Sequence, residues 1–347
     1  MQTTKGADMR YVLFGDSGLR VSELALGTMT FGDDWGWGAD AAESRKQLEV
    51  FAEAGGNLID TANKYTNGSA ERIVGGLIAA DRDRWVVSTK YTLSMGPDPN
   101  ASGNSRKNLV RSLEASLRRL DTDYVDILWV HAWDFLTSPS EVMRALDDQV
   151  SAGKVLYLGV SDAPAWQIAR MQTMAELRGW NPLAGLQVEH SLVQRDVERE
   201  LLPMADALGL GVTAWAPLGG GVLTGKYRSL EGERRYAEQP EWKLRVGDAV
   251  VEVANELGFT PAQVALAWLR QHTEQPIIPL IGARTAAQLE QSLAVTGIAL
   301  PQEHLDRLSA VSAPTLGFPH DFLAQPDIRQ VVLGDQADLI VPPRRPR

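Results

Sequence analysis

Four side chains suited to proton transfer stand at or near the ends of short apolar segments. Asp60, Lys90 and His131 each mark the end of such a segment, and Tyr65 comes five residues after Asp60. A free phenol is too weak an acid to donate a proton readily at neutral pH. A lysine ammonium beside it favours the phenolate and lowers its pKa, while a carboxylate keeps that ammonium charged. With an imidazole to orient the acceptor oxygen, the set predicts proton donation to a carbonyl.

Each of these residues also has an ordinary structural explanation when it is taken alone. Asp60 could cap a turn, Lys90 could lie at a rim, and His131 could be a hydrogen-bonded histidine of the interior. The chemical interpretation therefore depends on a fold that brings all of them to one place.

The elements that could do this are short apolar segments that alternate with helical patterns along the chain. Eight such strand-helix units with short connections close most simply into a (β/α)₈ TIM barrel, in which working residues project from the C-terminal ends of the strands. The eight segments are Leu24–Gly27, Leu58–Asp60, Trp85–Thr89, Val125–Val130, Val155–Val160, Gly185–Val188, Gly211–Ala214 and Ile277–Leu280.

Helix signals support the alternation. Ser138-Pro139-Ser140-Glu141 is a capping-box pattern, Thr260-Pro261 opens another helix, and Gly55, Gly153 and Gly209 close helices. Residues 11–21, with Gly15-Asp16-Ser17-Gly18 at the centre, predict a β-hairpin outside the barrel. Two further helical patterns, Trp242 to Leu257 and Pro301 to Ser312, exceed the eightfold count and predict extra C-terminal helices.

A Rossmann-like sheet is the competing architecture. Gly36-Trp37-Gly38-Ala39-Asp40-Ala41 matches GxGxxA and has Asp60 about twenty residues further on. In a true fingerprint the first glycine follows its strand at once, whereas nine residues separate Gly36 from Gly27 here. A match carried by glycines alone is weak evidence.

Composition limits the class of protein. The 347 residues carry a net charge of -10, which opposes nucleic-acid or anionic-membrane binding. The lack of cysteine excludes disulfides and thiolate-ligated metals, so we predict a reducing, cytoplasmic location and no metal site. The first ten residues have no apolar core, and no segment is long and apolar enough to span a membrane. Without a linker, 1–347 is predicted to be one domain, with a tail over about 314–347 that ends in a solvated IVPPRRPR.

Several motifs resemble the aldo-keto reductases. They recur in order at the predicted strand ends, and the resemblance extends from about Gly15 to Ser312. It implies a (β/α)₈ barrel that transfers hydride between a nicotinamide cofactor and a carbonyl or alcohol. The motifs are Gly27-Thr28-Met29-Thr30-Phe31-Gly32, Asn57 through Tyr65 (NLIDTANKY), Ser116-Leu117-Arg118-Arg119-Leu120, Asp123-Tyr124-Val125-Asp126, and Trp215-Ala216-Pro217-Leu218-Gly219 through Leu223-Thr224-Gly225-Lys226-Tyr227.

The resemblance also implies a role for each matched position. Tyr65 is the proton donor, Lys90 and Asp60 tune it, and His131 positions the carbonyl. At the nicotinamide end, Thr28 and Asp60 are predicted to contact the cofactor, Ser161, Asp162 and Gln187 to hold the carboxamide, and Trp215 to stack on the ring. Lys226 and the loop around Pro217, Leu218, Gly219 and Gly221 would meet the pyrophosphate, although a structural turn also explains those glycines.

The adenosine end is assigned to Gly282, Arg284, Gln288, Gln291 and Ser292. Arg284 lies just before a helix that Thr285 caps, where a guanidinium and a helix N-terminus both attract phosphate, so NADPH is preferred over NADH. The alternative is that Arg284 is a solvated residue at a helix start.

Two positions depart from the family pattern, since Asp162 and Ser292 stand where asparagines are usual. An ionised Asp162 can only accept hydrogen bonds. Its structural alternative is to cap a helix that begins near Pro164.

The substrate is predicted to be a small carbonyl compound, with Trp35, Trp37, Tyr91 and Trp133 as an aromatic wall suited to a bulky or cyclic molecule. Core packing explains each of these rings equally well. Two other functions stay open: a cofactor-binding module without turnover, and a lyase that forms a Schiff base on Lys90.

Overall fold

The computed structural model describes residues 9–229, 238–334, 336 and 339–341. The first eight residues and most of the terminal IVPPRRPR lie outside these ranges. The chain divides into two units, Met1–Ser312 and Ala313–Arg347. The single domain over 1–347 stays a prediction.

The first unit is a (β/α)₈ barrel, as the alternating pattern predicted. Eight parallel strands close in the order β10-β3-β4-β5-β6-β7-β8-β9, and β1 and β2 form a separate antiparallel hairpin. The strands are β1 (Tyr11–Leu13), β2 (Arg20–Ser22), β3 (Ala25–Gly27), β4 (Leu58–Asp60), β5 (Val86–Tyr91), β6 (Val125–Val130), β7 (Val155–Ser161), β8 (Leu183–Glu189), β9 (Gly211–Trp215) and β10 (Ile277–Ile281).

The barrel interior is packed around Trp129, a buried tryptophan of β6. Trp129 meets Phe14 of the hairpin turn edge to face, with ring centroids 6.1 Å apart. Two glycines make room for these rings, because a Cβ at Gly159 would lie 2.3 Å from Trp129 and one at Gly185 would lie 2.4 Å from Phe14. Hairpin residues therefore close one end of the barrel and leave the C-terminal strand ends for chemistry.

Helices cover the outside of the barrel and bury their apolar faces on the strands. Leu109, Leu113, Leu117 and Leu120 all lie on the buried face of one helix, as their spacing predicted. The helices of this first unit are α1 (Ala41–Glu53), α2 (Ser69–Ile78), α3 (Arg106–Leu120), α4 (Pro139–Ser151), α5 (Ala165–Arg178), α6 (Leu201–Ala207), α7 (Lys226–Ser229), α8 (Glu241–Leu257), α9 (Pro261–Gln271), α10 (Ala286–Leu293) and α11 (Gln302–Val311). The second unit contains α12 (His320–Leu323) and α13 (Pro326–Leu333).

The predicted helix ends are mostly confirmed. Thr260 forms a complete capping box at the start of α9. Ser138 caps α4, but the reciprocal half of its box is absent, because the Glu141 carboxylate accepts from the backbone N–H of Arg106 instead. The predicted hairpin and the extra helices α8 and α11 are present.

The closed barrel excludes the Rossmann-like alternative. Gly36 and Gly38 lie in the loop between β3 and α1, and α1 begins only at Ala41. The glycine match was therefore a coincidence of composition in a loop.

In the second unit the structure describes two short helices, α12 and α13, which belong to the predicted tail. Within the described part of the chain, no helix has both the length and the apolar character needed to cross a membrane.

Two neighbouring glycines of α2 allow a test of the packing behind the site. A Cβ at Gly75 would lie 2.4 Å from the carbonyl oxygen of Leu120, whereas one at the exposed Gly76 would meet nothing within 4 Å. We expect Gly75→Ala to lower the free energy of unfolding by about 1–3 kcal/mol through overpacking. Gly76→Ala should raise it by about 0.5–1 kcal/mol, because alanine favours helix. Denaturant unfolding measures both, and equal effects would contradict the close packing of α2 on α3.

Candidate active site

The strand ends bring three of the four predicted catalytic residues into direct contact. The Lys90 ammonium donates to Asp60 Oδ2 at 2.5 Å and to the Tyr65 hydroxyl at 3.0 Å. It also donates to the backbone oxygen of Thr61 at 2.9 Å, and its side chain is fully buried. The convergence predicted from the sequence is thus present in the structure.

Asp60 is held by residues from three other strands or strand ends. Its Oδ1 accepts from Ser88 at 2.8 Å and from the Gln187 side-chain amide at 3.0 Å. Thr28 donates through its hydroxyl and its backbone N–H to the Asp60 backbone oxygen. Ser88 was not predicted, although it precedes Lys90 by two residues and the strand period of two places both side chains on the same face.

Electrostatics in the site follow from burial and from these contacts. Burial alone would lower the pKa of Lys90, but the adjacent Asp60 and the Tyr65 hydroxyl more than offset it, so the pKa is raised and Lys90 is charged. For Tyr65, burial raises the pKa and outweighs the lowering by Lys90. Lys90 therefore acts in the predicted direction, but the expected net lowering of the Tyr65 pKa is wrong, because burial has the larger effect.

His131 lies beside the phenol, with its ring at 83° to that of Tyr65 and centroids 6.0 Å apart. Burial, and then the charge of Lys90, lower the pKa of His131 to about 3. The imidazole is therefore neutral at pH 7. Its Nδ1 is buried and has no hydrogen-bond partner among the described residues.

A strained turn positions Tyr65, and no sequence motif had indicated it. Tyr65 begins a 3₁₀ turn in which Thr66 and Asn67 adopt positive φ of 43° and 52°. The Thr66 hydroxyl donates to the Phe31 backbone oxygen at 2.7 Å and accepts from the N–H of Ala70 at 2.9 Å. These bonds join the turn to the first barrel loop and to helix α2.

A buried carboxylate supports the strand that carries Lys90, and this contact was also missed. Glu71 on α2 accepts from the Thr89 hydroxyl at 2.5 Å and from Arg119 at 2.6 Å. It is fully buried and pairs with the Arg119 guanidinium. Residues 71, 89 and 119 are far apart in sequence, and only the packing of α2 on α3 and β5 brings them together.

The predicted carboxamide contacts are distributed over the ends of β7, β8 and β9. Ser161 has a buried hydroxyl with no partner among the described residues. Asp162 has a positive φ of 44° and accepts from the indole N–H of Trp215 at 3.3 Å. It does not cap α5, which begins after Pro164 without a side-chain cap, so the capping alternative is excluded.

The loop after β9, which includes Pro217 and Leu218, contains three successive glycines with positive φ: Gly219, Gly220 and Gly221. A Cβ at Gly221 would lie 2.4 Å from the Lys226 side chain, so the lysine crosses directly over this backbone. A glycine backbone beneath a lysine fits the binding of a phosphate. The orphaned Ser161 hydroxyl and this loop both fit a nicotinamide dinucleotide.

The residues assigned to the adenosine end lie at the start of α10. Thr285 caps the helix, and the Gln288 side chain accepts from the N–H of Arg284 at 3.0 Å. Gln288, Gln291 and Ser292 follow at helical spacing, and the Ser292 hydroxyl donates to the backbone oxygen of Gln288. Gly282 opens this segment directly after β10.

The aromatic residues predicted for the substrate fall into two groups. Trp35 and Trp37 stack at a tilt in the first loop, with centroids 5.7 Å apart, and Trp37 is exposed. Tyr91 and Trp133 are buried with the main hydrophobic core. Trp37 is therefore the ring that lies open to solvent, and Trp35 beside it is half-buried.

A (β/α)₈ barrel with a tyrosine, a lysine, a carboxylate and a histidine at its strand ends defines a class of oxidoreductase. The profile of the Aldo/keto reductase family matches residues 23–313. The chain belongs to the aldo-keto reductase family.

Relatives with names extend the comparison. The chain is 39% identical to the norsolorinic acid reductase of Aspergillus flavus over 90% of this chain and 83% of that protein. It is 40% identical to that of Emericella nidulans, over 88% and 82%. It is 36% identical to the aryl-alcohol dehydrogenase [NADP(+)] of Phanerodontia chrysosporium, over 87% and 86%. The family supports an oxidoreductase that acts on carbonyls.

Asp162 yields a prediction on stability. Burial raises the pKa of its carboxyl, while the Trp215 bond opposes that rise. We expect Asp162→Asn to keep or slightly raise stability, because asparagine tolerates positive φ and its oxygen still accepts from the indole. Asp162→Ala should cost about 1–3 kcal/mol in thermal unfolding, because it loses that bond and strains the backbone.

The matched control is Asp121→Ala. Asp121 also has a positive φ, at 52°, and is exposed like Asp162, but it lies at the end of α3 with no indole to bind. Equal losses for the two alanine variants would show that the Trp215 bond contributes nothing.

Proposed function

We propose that this protein reduces an aldehyde or ketone with NADPH, reversibly, and that Tyr65 is the general acid. The observation that carries the proposal is the Lys90 ammonium, which bonds to both the Asp60 carboxylate and the Tyr65 hydroxyl. Reduced nicotinamide supplies the hydride when it is bound. The chain supplies the proton and the groups that orient the carbonyl.

The phenol proton passes to the carbonyl oxygen as that oxygen becomes an alkoxide. The phenolate left behind is stabilised by Lys90, 3.0 Å away in a buried site where charges interact strongly. His131 is neutral and therefore has one ring N–H and one lone pair. Its N–H is suited to hold the carbonyl oxygen beside the Tyr65 hydroxyl.

Residues that fit the cofactor follow the order of the strands. The Ser161 hydroxyl and the Gln187 side-chain oxygen suit the carboxamide of the cofactor. The Gln187 side-chain nitrogen already binds Asp60, so the oxygen is the Gln187 atom left for this contact. Trp215 supplies the face for the nicotinamide ring, and Lys226 above Gly221 suits the pyrophosphate. Arg284 before the capped α10 favours the 2′-phosphate of NADPH, and NADP(+) in the name of one relative supports this choice.

For the substrate we propose an aromatic carbonyl or the corresponding aryl alcohol. Two relatives are named norsolorinic acid reductase and one is an aryl-alcohol dehydrogenase. Trp37, exposed in the first loop, and the half-buried Trp35 beside it offer rings for such a molecule. Tyr91 and Trp133, which are buried, remain predicted substrate residues. A cytoplasmic location remains a proposal that is based on composition.

The two alternative functions are disfavoured by particular contacts. A Schiff-base lyase needs an uncharged lysine amine, whereas the contacts with Asp60 and Tyr65 keep Lys90 protonated. A binding module without turnover needs no group to orient a carbonyl, but His131 lies beside Tyr65 with a neutral ring.

Tyr65→Phe tests the general acid. We expect the rate of carbonyl reduction to fall by about 10²–10⁴-fold, because only the transferred proton is removed. NADPH affinity, measured by titration of the protein fluorescence, should stay nearly unchanged. Tyr124→Phe is the control, because it also removes a phenolic hydroxyl. Tyr124 lies just before β6, away from the C-terminal strand ends, and its hydroxyl bonds to Asp83. A large loss of NADPH affinity in Tyr65→Phe, with turnover retained, would remove Tyr65 from this role.

Arg284→Ala tests the cofactor preference. A charge-assisted bond to the 2′-phosphate is worth about 1.5–3 kcal/mol, so NADPH affinity should fall about 10- to 150-fold while NADH affinity changes little. NADPH binding should also become less sensitive to salt. Arg178→Ala, in the last turn of α5, is the matched control on the surface. Equal losses for both cofactors would contradict the phosphate assignment.

A further inference from the structure

Away from the proposed catalytic residues, two histidines and a glutamate bring two imidazole nitrogens and one carboxylate oxygen close together. His190 follows β8, Glu198 ends a 3₁₀ turn, and His272 caps the C-terminus of α9. The two Nε2 atoms are 3.1 Å apart, and Glu198 Oε1 is 3.6 Å from His190 Nε2 and 3.5 Å from His272 Nε2. Both imidazoles are almost completely buried.

The other nitrogen of each ring fixes the tautomer. His190 Nδ1 faces the backbone oxygen of Gln194 at 3.0 Å, and His272 Nδ1 faces those of Trp268 and Leu269 at 3.2 Å. A carbonyl oxygen can only accept, so each Nδ1 must carry the hydrogen. Both neutral rings then present a bare lone pair at Nε2, and the two lone pairs face each other. A cation between them would remove this conflict.

The separations fit a metal ion. A point equidistant from all three atoms lies about 2.0 Å from each, close to the usual Zn–N and Zn–O distances of about 2.0–2.2 Å. A shared proton would bond the two nitrogens alone and would favour a close carboxylate contact with the charged ring. Instead Glu198 Oε1 is almost equally far from both, and both distances exceed a normal hydrogen bond.

The surrounding groups hold the three side chains in place. Arg195 binds Glu198 in a bidentate fashion, with Nε to Oε1 at 2.7 Å and Nη2 to Oε2 at 2.8 Å. The Trp268 ring stacks on His272 at 3.9 Å. Carbonyl acceptors at Nδ1 and a hydrogen-bonded carboxylate are the usual second shell of a metal site. The positive charge of Arg195 opposes the binding of a cation, so only a metal with high affinity for imidazole should bind.

We propose that His190, Glu198 and His272 bind one divalent ion of the zinc type and that this ion joins the end of β8 and its loop to helix α9. Imidazole with a single carboxylate selects Zn²⁺ or its first-row neighbours over Mg²⁺ and Ca²⁺. The sequence predicted no metal site because it lacks cysteine, and the two histidines are 82 residues apart with no spacing motif to join them. The inference is independent of the proposed function, since none of the three residues belongs to the catalytic set.

The test uses the full chain without an affinity tag. After dialysis against EDTA, ZnCl₂ is titrated in while bound metal and Tm are measured. We expect one Zn²⁺ per chain and a Tm higher by at least about 5 °C, with no effect of MgCl₂. His272→Gln should weaken Zn²⁺ binding at least about 100-fold.

His304→Gln is the matched control. His304 lies beside Glu256 and Glu303 but has no second histidine in that cluster, so its variant should bind Zn²⁺ as the wild type does. If His272→Gln does not fold, the wild type is titrated with Co²⁺ in place of Zn²⁺ and its visible absorption is recorded. We expect the absorption bands of Co²⁺ bound by imidazole ligands at a low coordination number.

Three outcomes overturn the proposal. One is a Tm that is the same in ZnCl₂ and EDTA, together with no Co²⁺ absorption. Another is equal loss of Zn²⁺ binding in His304→Gln and His272→Gln, which would indicate adventitious surface binding. The third is a Tm that does not depend on metal, together with a difference between wild type and His272→Gln that lies only in how Tm changes with pH. That result would show that a shared proton bridges the histidines.

Discussion

The buried ion pair between Lys90 and Asp60 is the contact on which the rest of the site depends. Both side chains are almost fully removed from water, so each would be costly without the other. Breaking such a pair by removing one partner costs about 3–5 kcal/mol, because an uncompensated charge is left behind. Ser88 and Lys90 of β5 and Gln187 of β8 bond to the Asp60 carboxylate, and Thr28 after β3 bonds to its backbone oxygen. The same bonds fix the position of the Lys90 ammonium relative to Tyr65.

The barrel concentrates backbone strain at the end that carries these side chains, and this helps to fix their positions. Among the described residues, seven that are not glycine have positive φ, and six of them lie in loops that follow barrel strands: Thr66, Asn67, Thr92, Phe135, Asp162 and Ala216. Such conformations persist only where the surroundings over-determine them. The regular hydrogen bonding of the closed sheet supplies that constraint. The strand ends thus present side chains in directions that unstrained loops would not give.

Local patterns in the sequence predicted what depends on local physics. The eight apolar segments match the barrel strands within two residues, because strand period and flanking turn residues are read directly from the chain. Asp60, Lys90 and His131 could be found because a barrel places the first polar residue after each strand at its mouth. Glu71 with Thr89 and Arg119, Glu141 with Arg106, and His190 with His272 could not be found, since each contact joins segments that are distant in sequence. Their partners are set by how helices pack, which no short motif encodes.

The electrostatics of Tyr65 explain why burial and a cation occur together. A general acid must hold its proton until the carbonyl oxygen can receive it, and a phenol with a strongly lowered pKa would lose that proton to water first. Burial keeps the pKa of Tyr65 raised despite Lys90. The ammonium then matters most after transfer has begun, because its attraction grows with the negative charge on the phenolic oxygen. Interactions that strengthen only as the reaction proceeds are those that raise the rate. In the proposed mechanism, the cation is therefore placed to stabilise the product of proton transfer rather than to ionise the resting tyrosine.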